Sequence, residues 1–180
     1  SIGYNRDMNT MLKFSEANTK LLKLCKNRKV RKYLKGNRKA YSLDLLAGVT
    51  CPGAKDCKSQ VCQGKIVDGK HTKFRCYAAS LEAAFPNTYR LHKHNTDCVR
   101  KTRSVERHRD LILDSLPNNA GIVRYHSAGD FFRESYLIGA ILAAFRRPDV
   151  LFYGYTKSIH FLKSVLFQNA LEGVVLPNFL

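Results

Sequence analysis

Residues 122–180, IVRYHSAGDFFRESYLIGAILAAFRRPDVLFYGYTKSIHFLKSVLFQNALEGVVLPNFL, decide the fold. Ile122–His126 is a short run of β-branched and aromatic residues and reads as a strand. Asp130–Phe145 has helical spacing of apolar residues, with Asp130 placed to cap its start and Arg146-Arg147-Pro148 closing it. Val150–Tyr155 reads as a strand, Ile159–Leu171 as a helix ended by Gly173, and Val174–Leu180 as a further strand. Strand and helix alternate with short connections, which predicts crossovers and parallel pairing. The fold class is therefore α/β: a partial (β/α) barrel-like parallel sheet, preceded by a basic helical N-terminal segment and a cysteine-rich loop.

Working outward, Pro117-Asn118-Asn119-Ala120-Gly121 breaks the chain before the first of these strands. Residues 98–116 and 77–86 are expected to be helical. Tyr41–Val49 (YSLDLLAGV) reads as a strand feeding a turn at Pro52-Gly53. Apolar residues at Met8, Met11, Leu12, Leu21, Leu22, Leu24, Val30 and Leu34 suggest one or two helices over 8–35, ended at Gly36-Asn37. Two units follow: residues 1–40, a basic helical segment, and residues 41–180, an α/β cluster-binding domain. The first residue is Ser and the last seven read as a strand, so trimming is expected at the N-terminus, and further strands beyond the C-terminus stay open.

The chain has 180 residues, 44% of them hydrophobic, enough for one domain with a core. No apolar run is long enough to span a bilayer, and the polar start SIGYNRDMNT does not resemble a signal peptide. A cytoplasmic location is expected. The formal net charge is +17, from 31 basic and 14 acidic residues. Between Lys20 and Lys39 stand ten Lys or Arg and no acid. Lys26, Arg28, Lys29, Arg31, Lys32, Lys35, Arg38 and Lys39 are candidates for contact with DNA or RNA, largely blind to base sequence and sensitive to salt. The competing reading is a solvated basic surface.

Four of the six cysteines fall within 26 residues, at Cys51, Cys57, Cys62 and Cys76, spaced C-x5-C-x4-C-x13-C. In a reducing compartment such clustering favours metal thiolates over disulfides. Paired C-x2-C knuckles of a zinc ribbon are lacking, and irregular spacing on one loop is more typical of an iron–sulfur cluster, 4Fe–4S in the first instance. A structural zinc site is the alternative. Cys25 and Cys98 lie in helical patterns and read as packed thiols.

In open α/β sheets and barrels, sites form at the carboxyl ends of strands. Those ends carry the cysteine loop, then His126-Ser127-Ala128-Gly129-Asp130, then Tyr155-Thr156-Lys157-Ser158. Tyr77, Gly129, Asp130, Thr156 and Lys157 are the candidate cofactor-binding residues. Tyr77, Tyr125 and Tyr155 have rings able to stack on a base, His126 reads equally as a core histidine, and Asp130 equally as a helix cap.

The pieces TCPGAKDC, KIVDGKHTKFRCYAAS, SAGDFF and PDVLFYGYTKS resemble a family of uncharacterised bacteriophage gene products that share cysteines here with SGDFF-like and YTKS-like motifs, over about residues 42–180. That resemblance implies host-cell cytoplasm as the location. More distantly, Cys76-Tyr77 and Ala128-Gly129-Asp130 are similar to the cysteine–aromatic pair and Gly-Gly-Glu motif of radical S-adenosylmethionine enzymes. This second resemblance implies a three-cysteine cluster on Cys51, Cys57 and Cys76, one iron open to S-adenosylmethionine, and Cys62 outside the ligand set. The C-x3-C-x2-C spacing of those enzymes is absent. Four thiolates would instead close the cluster, and the residues alone leave both arrangements open.

Overall fold

The chain enters its sheet by an antiparallel edge, β1 (Ser15–Glu16), paired with β2 (Lys39–Leu43). The structure, a computed structural model, describes residues 10–17, 19–172 and 178–179. Between β1 and β2 lie two short helices, α1 (Thr19–Cys25) and α2 (Arg28–Arg31), and a 3-10 turn, Lys32–Leu34. The single long helix allowed by the apolar spacing over 8–35 is thus not formed; residues 8 and 9 lie outside the described residues. Two causes are visible. Ala17 donates to Ala40 O and is held to the sheet edge, and the Asn27 side chain accepts from Lys29 N, restarting the helix. A run of like charges adds no support for a longer helix.

After β2 the chain makes the antiparallel hairpin β3 (Ser59–Cys62) and β4 (Lys65–Asp68), then α3 (Tyr77–Ala84), α4 (Pro86–Lys101) and α5 (Val105–Ser115). The hairpin turns at Gln63-Gly64, both at positive φ, although Asp68-Gly69 is the stronger turn dipeptide in this stretch. The helix expected over 98–116 is divided: Ser104 accepts from Arg107 N and starts α5 afresh, and α4 begins earlier, with Pro86 at its first turn. Then come β5 (Ala120–Tyr125), α6 (Glu134–Arg146), β6 (Leu151–Gly154) and α7 (Ile159–Glu172).

The main sheet has the order β1-β2-β5-β6, with β2, β5 and β6 parallel. The α/β class and parallel pairing hold. Among the described residues the sheet is open and no closed barrel forms. Of the expected strand Val174–Leu180, residues 174–177 and 180 lie outside the described residues; Phe179 makes one parallel bridge to Phe152, and Phe152 N donates to Asn178 O.

Two apolar clusters sandwich the sheet. On one face Tyr41, Leu43, Val123, Tyr125 and Phe152 meet Val99, Ile112, Tyr136, Leu137 and Val165 of the later helices. On the other, Ala40, Ile122 and Leu151 meet Leu21, Leu24, Cys25, Val30 and Tyr33 of the N-terminal segment. Alternation along each strand produces this division. Among the described residues, the second face is covered only toward the amino ends of the strands. Toward their carboxyl ends it carries Ser42, Arg124 and Tyr153 instead of small apolar residues. Among the described residues, no helix is long and apolar enough to cross a membrane.

Candidate site at the carboxyl ends of the strands

Asp44, the first residue after β2, ties the site together. It is buried, and its Oδ1 accepts from Ser127 N (2.6 Å) and Ala128 N (3.0 Å) while Oδ2 accepts from the Ser42 hydroxyl (2.7 Å). The loop after β5 is thereby clamped to the end of β2. Gly129 follows at φ +80°, and a Cβ there would stand 2.6 Å from Thr50 Oγ1 and 2.7 Å from the Leu45 Cβ. Only glycine combines that backbone with that approach. Thr50, at the head of the cysteine loop, accepts from Asp130 N.

Asp130 is also buried, and it does not cap α6, whose N-cap position is Arg133. Its Oδ1 accepts from Phe131 N (2.7 Å) and the Thr156 hydroxyl (2.6 Å), and its Oδ2 from Lys157 N (2.8 Å). The carboxylate therefore joins the β5 and β6 loops, and the helix starts four residues later than expected. Gly53 completes the set: a Cβ there would collide with the Lys157 carbonyl. The motifs around Thr50-Cys51-Pro52-Gly53, Ser127–Asp130 and Tyr155–Ser158, far apart in sequence, thus pack backbone to backbone.

Cys51, Cys57 and Cys76 belong to this framework, Cys57 in contact with Lys157. Lys157 Nζ lies 2.6 Å from Cys57 Sγ, and that contact raises the lysine pKa against the opposing effect of burial. Burial pushes the Cys51 thiol up to about 12, with smaller contributions from Asp130, Cys76 and Cys57. Cys76 precedes α3, its amide donating to Ser59 Oγ. Cys62 stands elsewhere. It is exposed at the tip of the hairpin, paired across it with Lys65, and alternation turns it away from the face that buries Ser59 and Val61. All six cysteines are free thiols. Cys25 donates to Leu21 O within α1, and Cys98 is buried against the main core.

Among the described residues, no group of three or more His, Cys, Asp or Glu side chains stands close enough to hold a single metal ion. The ligands of an iron–sulfur cubane are set apart by the width of the cluster, a wider spacing than that of ligands on one ion.

Of the other candidates, Tyr77 and Tyr155 are exposed and Tyr125 is fully buried, packed on Phe131 and Phe152 and unable to stack on a ligand. His126 is a core histidine: burial pushes it down to about 4, and its Nε2 meets the Tyr136 hydroxyl at 3.1 Å. The basic run lies at the opposite end of the sheet. The 3-10 turn abuts Gly121, at the start of β5, and Arg38 pairs with Asp149 before β6.

Two features escaped sequence reasoning. Glu82, buried in α3, accepts from Ala47 N and holds His92 Nδ1 of α4 at 2.7 Å. Arg124 of β5 lies on the half-open sheet face. An acid within the alanine-rich helix YAASLEAA was the available signal for the first, and a charge in the middle of an apolar strand for the second.

A family model described as Gene product 88 matches residues 11–179. No curated protein and no solved structure matches the chain. The match extends across both the basic segment and the strand-end motifs, in line with the resemblance to phage gene products that those motifs carry, and the chain belongs to the Gene product 88 family.

Proposed function

We propose that this protein binds an iron–sulfur cluster, 4Fe–4S, through Cys51, Cys57 and Cys76, at the carboxyl ends of its parallel strands. The observation that carries the reading is the 2.6 Å contact of Cys57 with the Lys157 amine, beside Cys51 and Cys76 in the same strand-end framework, with Cys62 facing elsewhere. The donor set fits: three thiols of one loop, a cation beside them, and a backbone frame tight enough at Gly53 and Gly129 to hold the loop in place. Bound there, a cluster held by three thiolates supplies one iron with an open coordination position. Lys157 would balance the negative charge of the thiolates. Cys51, protonated in the metal-free protein, must release its proton to ligate, so loading becomes more favourable as pH rises.

S-adenosylmethionine is the small molecule that the radical-enzyme resemblance would bring to such an iron, on a partial-barrel scaffold. Asp130, the counterpart of the family's amine-holding acid, already accepts three hydrogen bonds, so a ligand amine would have to share it. Tyr77 and Thr156 are the neighbouring groups that would complete such a site.

Anaerobic purification followed by iron, sulfide and zinc analysis tests the proposal. About four iron and four sulfide per chain are expected. Ser in place of Cys51, Cys57 or Cys76 should abolish them, and Cys62→Ser should leave them. One zinc without iron would replace the cluster with the structural-zinc alternative.

A second reading concerns nucleic acid. Lys26, Arg28, Lys29, Arg31, Lys32 and Lys35 are exposed and, among the described residues, have no carboxylate partner; Arg38 and Lys39 are paired with Asp149 and Glu16. Such a face suits a phosphate backbone. It lies across the sheet from the cysteines, so it would dock a polyanion away from the cluster.

A further inference from the structure

A cleft of about 450 Å³ opens beside the cysteine site, on the half-covered face of the sheet. Its floor is Ser42 of β2 and Arg124 of β5, which are register partners across the parallel pair. Tyr77 of α3 and His92 of α4 stand on one wall, Glu16 on another, and Asp44 and Ser127 close the end.

Most of the charged and imidazole groups lining it are committed elsewhere. Asp44 accepts from Ser42, Ser127 and Ala128. Glu16 is paired with Lys39 at 2.8 Å. His92 holds Glu82 through Nδ1, which fixes that side of the ring; among the described residues its Nε2 has no hydrogen-bond partner. Arg124 is different. Among the described residues it has no carboxylate partner and no hydrogen-bond acceptor, and its Nε is buried and unsatisfied. Its guanidinium carbon stands 6.0 Å from the centroid of the Tyr155 ring, a cation–π contact that supplies no hydrogen-bond acceptor. Ser127 Oγ is a second buried and unpartnered atom of the same lining. A buried donor on a permanently charged group that lacks an acceptor is costly. A bound anion would supply the missing acceptor, and a guanidinium fork matches the paired oxygens of a phosphate or carboxylate.

We infer that this cleft binds a small molecule carrying a phosphate or carboxylate group, with Arg124 as the anchor of that group. The exposed ring of Tyr77 supplies an apolar surface for the rest of the ligand, and His92 Nε2 a further polar contact. The inference rests on Arg124 and not on the cysteines, so it stands or falls separately from the cluster.

The Nε–Hε resonance of Arg124, assigned through its loss in Arg124→Lys, is the direct readout. The full chain is titrated with adenosine 5′-monophosphate and, separately, with glutamate, at fixed ionic strength. At least one should shift that resonance saturably; a response to the nucleotide alone assigns phosphate, and to glutamate alone carboxylate. Arg124→Gln should weaken the binding by about tenfold to a hundredfold. Lys65→Gln, at the exposed hairpin tip, should leave it unchanged. No saturable shift with either probe would overturn the inference, as would undiminished binding by Arg124→Gln or equal loss in both variants. If Arg124→Gln does not fold, the wild-type resonance still decides.

Discussion

Asp44 and Asp130 show how buried acids can serve as ties between loops. Each accepts three hydrogen bonds, at least two of them from another strand end, so each carboxylate is satisfied without a cation. Asp130 was legible as a cap because Asp before an apolar run usually is one; its partners Thr156 and Lys157 are 26 and 27 residues away, beyond local sequence logic. Gly129→Ala should cost about 2–4 kcal/mol, from left-handed backbone strain and contact with Leu45 and Thr50, read as a lowered denaturation midpoint. His126 gives a pH prediction. Burial holds its folded pKa near 4, below the unfolded value of about 6.5. The unfolded chain therefore binds the extra proton, and the stability from keeping this ring neutral, present above pH of about 6.5, is lost as pH falls toward 4, to a total of about 3 kcal/mol. His126→Asn, which tolerates the positive φ at this position, should remove much of that dependence in urea unfolding at pH 7 and pH 4.5. His108, also held neutral by burial, should preserve a smaller slope in the same direction.

At the scale of elements, the cysteine loop is a hairpin pinned at its base and free at its tip. Gly53 and Gly64 lie 11 residues apart in one loop, yet the same substitution should read differently. At Gly53 an added methyl meets the Lys157 backbone; at Gly64, φ +76°, nothing lies within 4 Å. Gly53→Ala is expected to displace the loop and abolish iron loading. Gly64→Ala should retain iron and cost about 1 kcal/mol in unfolding. Equal iron content in the two would show that the base of the loop does not position the ligands. The elements legible in advance included α3, β5, α6, β6 and α7, where period and breakers agree. Much of α4 was not, because PNTYRLHKHNTDCVRK is polar over most of its circumference and buries only His92, Asn95, Thr96, Cys98 and Val99. Asp68-Gly69 is a stronger dipeptide turn signal than Gln63-Gly64, yet strand register puts the turn at Gln63-Gly64.

Across the whole molecule, the sheet separates two chemistries. The basic segment abuts the amino ends of the strands, and the cysteines cap the carboxyl ends, about 20 Å away for a six-residue strand. Replacing Lys26, Arg28, Lys29, Arg31, Lys32 and Lys35 with Gln should lower affinity for DNA or RNA and flatten its salt dependence by about one unit of log–log slope per lost phosphate contact, measured by fluorescence anisotropy across a salt series. Iron content should be unchanged in that variant, because the two faces share no residues. The sequence by itself determined the α/β class, the parallel pairing, the basic segment and the clustering of cysteines, because hydrophobic period, breakers and charge are local properties. Only the tertiary structure decided that Cys62 is exposed at the hairpin tip, that Lys157 contacts Cys57, and that Arg124 faces a cleft with no hydrogen-bond acceptor among the described residues. Those facts depend on strand register and on backbone contacts between residues as many as a hundred positions apart, which no local pattern encodes.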